Sequence, residues 1–296
     1  MSSAPGGLGF IGLGVMGEPI CRNLALKAGV SVSAYDRDAA PLARLAALGV
    51  RAADSVKAVA EQADIVFLSL PSGEVVAELA RAADGLLAAV RRGQIVVDLG
   101  TSPVELTRQL ALEFAGRGAS FVDAPVARTR AAAEAGTLSV MAGADAEIFR
   151  QLRPLLGMFA SDVTHCGAVG CGQVVKILNN MVLFETVVAL SEAHAIGTRS
   201  GFDPQLLFDT LSKGSADSFA LRNHGMKSIL TGQFPERAFS AEYARKDLSY
   251  ALRLAQESAV DASGARNADG WLRQAIEAGD GELYFPVISR LIGRKH

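Results

Sequence analysis

The sequence predicts an α/β protein, with a doubly wound, mostly parallel sheet followed by an all-α domain. Three observations carry that prediction. Short apolar runs alternate with alanine-rich stretches of helical spacing through the first half of the chain. A glycine-rich turn, Gly12-x-Gly14-x-x-Gly17, sits between the first apolar run and the first helical stretch. From about Gly170 onward no convincing strand remains.

The runs "LGFIGL", "VSVSAY", "DIVFLSL", "QIVVDL", "ASFVDAPV" and "LSVMAG" read as strands. Continuous apolar composition suits strands covered on both faces, as crossover helices cover a parallel sheet. The stretches "PLARLAALG" and "PVELTRQLALEFAGRG" repeat apolar residues at helical spacing. "SDVTHCG" predicts a last short strand near Val163. After it, "GCGQVVKILNNMVLFETVVALSEAHAIGTRSG" predicts one long helix, opened by glycine turns and closed at Gly201. Further helices are predicted over 204–211, 239–258, 264–278 and 284–291. The chain therefore divides into an α/β domain, 1–166, and a helical domain, 167–296, with the long helix as the joint.

Composition limits the function classes. Half of the 296 residues are hydrophobic and a fifth are charged, with a net charge of −2. That is globular composition without the basic footprint of a nucleic-acid partner. No apolar run reaches the roughly 18 residues of a membrane span. "MSSAPGG" lacks the layout of a secretion signal, and three scattered cysteines (Cys21, Cys166 and Cys171) suit a reducing compartment, so a cytoplasmic location is expected. The histidines (His165, His194, His224 and His296) show no metal-ligand spacing, and no metal is expected.

The glycine turn has a physical reading because of its context. Gly12 permits the tight turn, Gly14 lets the backbone approach a pyrophosphate, and Gly17 lets the helix pack close to the strand. Leu13, Val15 and Met16 complete the loop, and the helix N-terminus offers N–H groups to the phosphates. This is a Rossmann-type dinucleotide site. Asp36, ending "VSVSAYD", suits the adenosine ribose hydroxyls and repels a 2′-phosphate, which favours NAD. Arg37 beside it keeps NADP open. Leu70 and Pro71, after "VFLSL", and Thr101 and Ser102, in "GTSP", follow strand ends, where ligands collect in open sheets.

Five ordered segments carry a resemblance over nearly the whole chain: "GFIGLGVMGEPICRNL", "DLGTSPVE", "DAPV…AGTLSVMAG", "GCGQVVKILNN" and "FSAEYARKDLSYAL". Together they resemble the β-hydroxyacid dehydrogenase family, which includes 3-hydroxyisobutyrate dehydrogenase. The resemblance implies hydride transfer between a nicotinamide and a small anionic hydroxy acid or semialdehyde, with Lys176 as the catalytic acid/base. Such chemistry needs a group that takes the alcohol proton in oxidation and returns it in reduction. A lysine with its usual pKa of about 10.4 donates at neutral pH, and acts as a base once burial or nearby positive charge lowers that value. Asn180, four residues on and so on the same helix face, is expected to hold the substrate. Lys246 resembles a family lysine that faces the nicotinamide edge and the substrate, with Asp247 as its local partner or a helix residue. Ser102 and Thr101 are expected near the nicotinamide ribose and substrate.

After "DAPV" the family usually has Ser-Gly-Gly, whereas this chain has Ala127-Arg128-Thr129. The change resembles the sulfolactaldehyde reductase subgroup, and makes Arg128 the expected anion reader, with Thr129 adding a hydroxyl and Arg130 either solvated or capping a helix contact. "GELYFPVIS" also departs from the family pattern around Tyr284 and Phe285, where aromatic side chains are expected to narrow the pocket. Imine reductases share the architecture but generally lack the lysine at the position of Lys176. A non-catalytic nucleotide sensor would keep the glycine loop and lose Lys176, Asn180 or Lys246. Apolar faces in the helical half predict a homodimer or homotetramer.

Overall fold

The computed structural model describes residues 6–236 and 238–294. Residues 1–5, part of the stretch read for a secretion signal, and His296 lie outside the described residues.

The first half runs β1 (Leu8–Ile11), α1 (Gly17–Lys27), β2 (Val32–Tyr35), α2 (Ala39–Ala46), β3 (Arg51–Ala52), α3 (Val56–Gln62), β4 (Ile65–Leu68), α4 (Gly73–Arg81), α5 (Leu86–Ala89), β5 (Ile95–Asp98), α6 (Val104–Ala115) and β6 (Ser120–Asp123). It continues through β7 (Val126–Ala127), α7 (Arg130–Ala135), β8 (Leu138–Gly143), α8 (Ala146–Leu156) and β9 (Ala160–Gly167). The sheet order is β3-β2-β1-β4-β5-β6-β8-β7, with β9 on β8. Pairs from β3 to β6 are parallel; β8 runs antiparallel to β6 and β7, and β9 is parallel to β8. Alternation in the central strands sends Ile65 and Phe67 into the core on one face, and Val66 and Leu68 into the core on the other.

The remainder is helical: α9 (Cys171–Arg199), α10 (Pro204–Leu211), a π-helix (Leu221–Ile229), α11 (Ala241–Glu257), α12 (Ser263–Glu277), a 3-10 turn (Phe285–Ile288) and α13 (Ser289–Ile292). The chain separates into two compact units, and the division falls between Lys176 and Ile177, inside α9. By length and composition α9 also qualifies as a membrane-crossing helix. In this protein its Ile177, Phe184, Val187, Val188 and Leu190 are buried.

In the second unit, Phe184, Phe239 and Phe285 meet ring to ring at 5.2–5.7 Å. The 281–285 segment is fastened to the start of α11: Ala241 N–H donates to the Leu283 carbonyl, and Phe285 N–H to that of Phe239, both at 2.9 Å. Tyr284 and Phe285, expected to narrow a pocket, hold the base of α11. The Tyr284 hydroxyl also shares a hydrogen bond with His224 Nδ1 on the π-helix. Burial pushes the His224 imidazole down to about 4, with Lys227 adding to the shift, and pushes the Tyr284 phenol above its usual value.

The β1–α1 turn shows why its glycines differ in kind. A Cβ on Gly17 would lie 2.0 Å from the Gly12 carbonyl oxygen, whereas a Cβ on Gly14 would meet nothing within 4 Å. Gly17→Ala should therefore lower thermal stability by about 1–3 kcal/mol through overpacking. Gly14→Ala should leave the melting temperature of the free protein unchanged and weaken dinucleotide binding, as read by calorimetric titration.

His224 sets a pH dependence. Its folded pKa lies below the unfolded value, so the unfolded chain binds more protons between about 6.5 and 4, and stability falls as pH drops through that window. The loss is on the order of 3 kcal/mol. Urea denaturation at pH 7 and pH 5 should show His224→Gln losing less stability on acidification than the parent.

Candidate active site

The dinucleotide loop is built by close approach. Gly12 takes φ +92°, and its missing Cβ leaves room for the Ser69 carbonyl, 2.3 Å from where that carbon would be. Leu70, half-buried, packs on the same point, and Pro71 beyond it is exposed. The Asp36 carboxylate accepts the Leu13 N–H and, at 2.8 Å, the Asp38 N–H, which fixes the end of β2 beside the loop. Gly14 and Val15 are exposed, and Met16 is the N-cap of α1 without a side-chain capping bond. The open space over Gly14 is the gap a pyrophosphate needs, so these residues fit a dinucleotide. Arg37 is exposed next to Asp36.

Ser102 and Thr101 are buried, at 2 % and 6 % exposure. Ser102 Oγ donates to Asp98 Oδ2 at 2.7 Å, and its N–H donates to Gln173 Oε1 at 3.0 Å. The serine that was expected beside a ligand is thus held by an aspartate and a glutamine. Gln173 was missed in the sequence; its partner residues lie far off in the chain, so no local spacing announces it.

Lys176 stands on the first turns of α9 and is 9 % exposed, with Ile177 fully buried after it. Asn180 follows one turn later and is 1 % exposed. In the second unit Asn180 Nδ2 donates to Asp247 Oδ2 at 2.7 Å, and Lys246 Nζ lies 3.0 Å from Asp247 Oδ1. Lys246 also sits 3.9 Å from the Tyr243 ring centre and 5.4 Å from that of Tyr250, a cation–π arrangement. Asp247 is more than a local partner for Lys246: buried at 1 %, it joins α11 to the α9 asparagine.

Arg128 is placed differently from the expectation of an open anion fork. Its Nη1 donates to the Thr137 carbonyl at 2.6 Å and to Ser161 Oγ at 2.7 Å, and its Nη2 pairs with Asp162 at 2.7 Å. The Ser161 hydroxyl, with the Arg128 guanidinium, holds the Asp162 carboxyl below the usual carboxylate range. Arg128 also takes φ +85°, a left-handed conformation that costs a non-glycine residue about 1–2 kcal/mol. Thr129 is the N-cap of α7, its hydroxyl accepting from Ala132 N–H at 3.4 Å. Arg130 is exposed and pairs with Glu134 on its own helix.

Residues 7–167 match the family described as the NAD binding domain of 6-phosphogluconate dehydrogenase. Residues 170–291 match the one described as NAD-binding of NADP-dependent 3-hydroxyisobutyrate dehydrogenase. A 2-(hydroxymethyl)glutarate dehydrogenase of Eubacterium barkeri is 36% identical over 253 residues, covering 86% of this chain and 83% of that protein. A 3-hydroxyisobutyrate dehydrogenase of Pseudomonas aeruginosa is 36% identical over 261 residues, covering 86% and 87%. The solved structure of Mycobacterium tuberculosis 3-hydroxyisobutyrate dehydrogenase with L-serine superposes with a TM-score of 0.87 at 30% identity, covering 97% of this chain and 99% of that one. Both halves match in order, the glycine loop fits a dinucleotide, and the chain belongs to the β-hydroxyacid dehydrogenase family, as an NAD(P)-dependent oxidoreductase acting on CH–OH groups.

Proposed function

We propose that Lys176 is the proton donor and acceptor in the interconversion of a small anionic hydroxy acid and its semialdehyde, with NAD as the preferred cofactor. The observation that carries this reading is a buried lysine at the start of α9, one turn before a buried asparagine whose amide is oriented by Asp247. Gly12 to Gly17 and Asp36 would hold the dinucleotide, and Leu70, Pro71 and Thr101 would line its nicotinamide half. When bound, the nicotinamide supplies or accepts the hydride. In oxidation the Lys176 amine takes the hydroxyl proton; in reduction its ammonium returns that proton to the carbonyl oxygen. Asn180 holds the same oxygen in place, and Lys246 adds positive charge for the substrate anion. The Asp36 carboxylate supports NAD, because a 2′-phosphate would face a like charge.

The relatives are named for 2-(hydroxymethyl)glutarate and 3-hydroxyisobutyrate, which supports a short-chain hydroxy acid here. Exposed Val182 and Ile196 on α9 support a second copy packing along that helix, in a homodimer or homotetramer. Arg128 reads the substrate anion only by exchanging Asp162 for it, and its strained backbone in the substrate loop supports such a role.

Turnover should appear with a panel of 3-hydroxyisobutyrate, 2-(hydroxymethyl)glutarate, 4-hydroxybutyrate, a hydroxypropane sulfonate and L-threonate, read by absorbance of the reduced cofactor. Lys176→Ala should lower kcat by about 10²–10⁴-fold while leaving cofactor affinity intact. A Lys176→Ala enzyme with parental turnover overturns the reading.

The arginine is tested by a pair of variants. Arg128→Ala should raise KM for the best anionic substrate roughly ten- to hundred-fold, the worth of a charge-assisted hydrogen bond. Asp162→Asn should lower KM by releasing the fork. If both variants keep the parental KM, Arg128 is a structural residue of the loop.

A further inference from the structure

Two buried carboxylates end neighbouring strands. Asp98 closes β5, Asp123 closes β6, and the two are register partners in the sheet. Both are 0 % exposed. Asp98 holds the 100–102 loop, accepting from Gly100 N–H at 2.9 Å and from the Ser102 hydroxyl at 2.7 Å. Asp123 holds the start of α9, accepting from Gly170 N–H at 2.7 Å and Gln173 N–H at 2.8 Å, with the Gly172 N–H contributing.

Gln173 joins the two. Its backbone is bonded to Asp123, while its side chain accepts from Ser102 N–H at 3.0 Å and donates to the Gly100 carbonyl at 2.9 Å. The surroundings leave no slack. A Cβ on Gly143 would lie 2.5 Å from Asp123 Oδ1; one on Gly172 would lie 2.8 Å from Oδ2 and 2.3 Å from the Met141 carbonyl. Lys176 follows Gln173 on the same helix, about one turn later.

We propose that Asp123 is a positioning residue for the reaction: its carboxylate fixes the first turn of α9, and with Gln173 it sets where the Lys176 side chain stands. This rests on the reading of Lys176 as the acid/base. An anion at a helix N-terminus satisfies N–H groups that otherwise lack partners and faces the positive end of the helix dipole. A side-chain cap reached through space, from the end of a central strand, transmits the rigidity of the sheet to the helix. Misplacing a reacting group by about 1 Å costs on the order of 10²-fold in rate.

The cap is also titratable. Burial pushes the Asp123 carboxyl up to about 6, against the pull of its N–H donors. Among the described residues, the ionisable groups beside it are Asp98 on β5 and Cys166 on β9, with Cys171 of α9 acting on Cys166. The Cys166 thiol is neutral where Asp123 titrates, because burial, Asp123 and Cys171 raise it above the ordinary thiol value. Protonation removes charge from the cap, so the first turn of α9 loosens as pH falls through about 6.

The test uses the reduction direction, where the Lys176 ammonium is the active form and any acid limb must come from another group. Parental kcat should fall as pH drops through about 6. Asp123→Asn should lose that limb and lower kcat at neutral pH roughly ten- to hundred-fold, with KM for the reduced cofactor unchanged. Folded Asp123→Asn with parental kcat and the same acid limb overturns the proposal. If Asp123→Asn does not fold, Gln173→Leu decides: reduced kcat with an unchanged cofactor KM supports it, and parental kcat overturns it. An inactive Lys176→Ala beside a parental Asp123→Asn rejects only the positioning role; an active Lys176→Ala rejects the reading on which it rests.

Discussion

The buried Asp123 carboxylate, closed over by the first turn of α9, is the constraint on which the remaining features of the site depend. It explains why a glycine must stand at 143 and another at 172, since a side-chain carbon at either would enter the oxygen's space. It explains why α9 starts where it does. A 29-residue helix with free N–H groups at its start would otherwise depend on water there. It also places the beginning of that helix, and the lysine on its next turn, at the end of β6, where open parallel sheets gather ligands.

A second theme is that charge in this protein is pinned before any ligand arrives. Asp36 is bonded to its own loop, Lys246 is held by Asp247 and Tyr243, and Arg128 is paired with Asp162. Preorganisation of this kind suits electrostatic catalysis, because dipoles already aligned need not reorganise as charge develops. Arg128 is the exception in energetic terms. Its ion pair is partly exposed and so of small worth, and its backbone is strained.

Much of the fold was legible because its signals are local. The sequence marked the strands except β3, whose residues Arg51 and Ala52 are exposed at the sheet edge and carry no apolar pattern, and the two-residue β7, which was merged into the run "ASFVDAPV". The spacing of Gly12, Gly14 and Gly17 marked the dinucleotide loop, and the boundaries of α10 followed from Pro204 and the apolar residues after it. The π-helix at 221–229 was not legible; an i→i+5 pattern has no propensity signature distinct from an α-helix. Within the site, Lys176 and Asn180 were read from their motif, whereas Gln173, Asp98 and the bridging role of Asp247 were not. Their meaning lies in pairings across 67 to 73 residues or around a buried turn, which only the folded chain brings together. The pairing of Arg128 with Asp162, 34 residues on, was likewise invisible to local spacing.

The central claim is that the Lys176 amine carries the proton. The most direct measurement is chemical rescue of Lys176→Ala by small primary amines of graded basicity at saturating cofactor and substrate. The account predicts that turnover returns with added amine, and that the rescued rate varies with amine pKa as general acid–base catalysis requires. No rescue by any amine, in a variant that still binds cofactor and substrate, would contradict it.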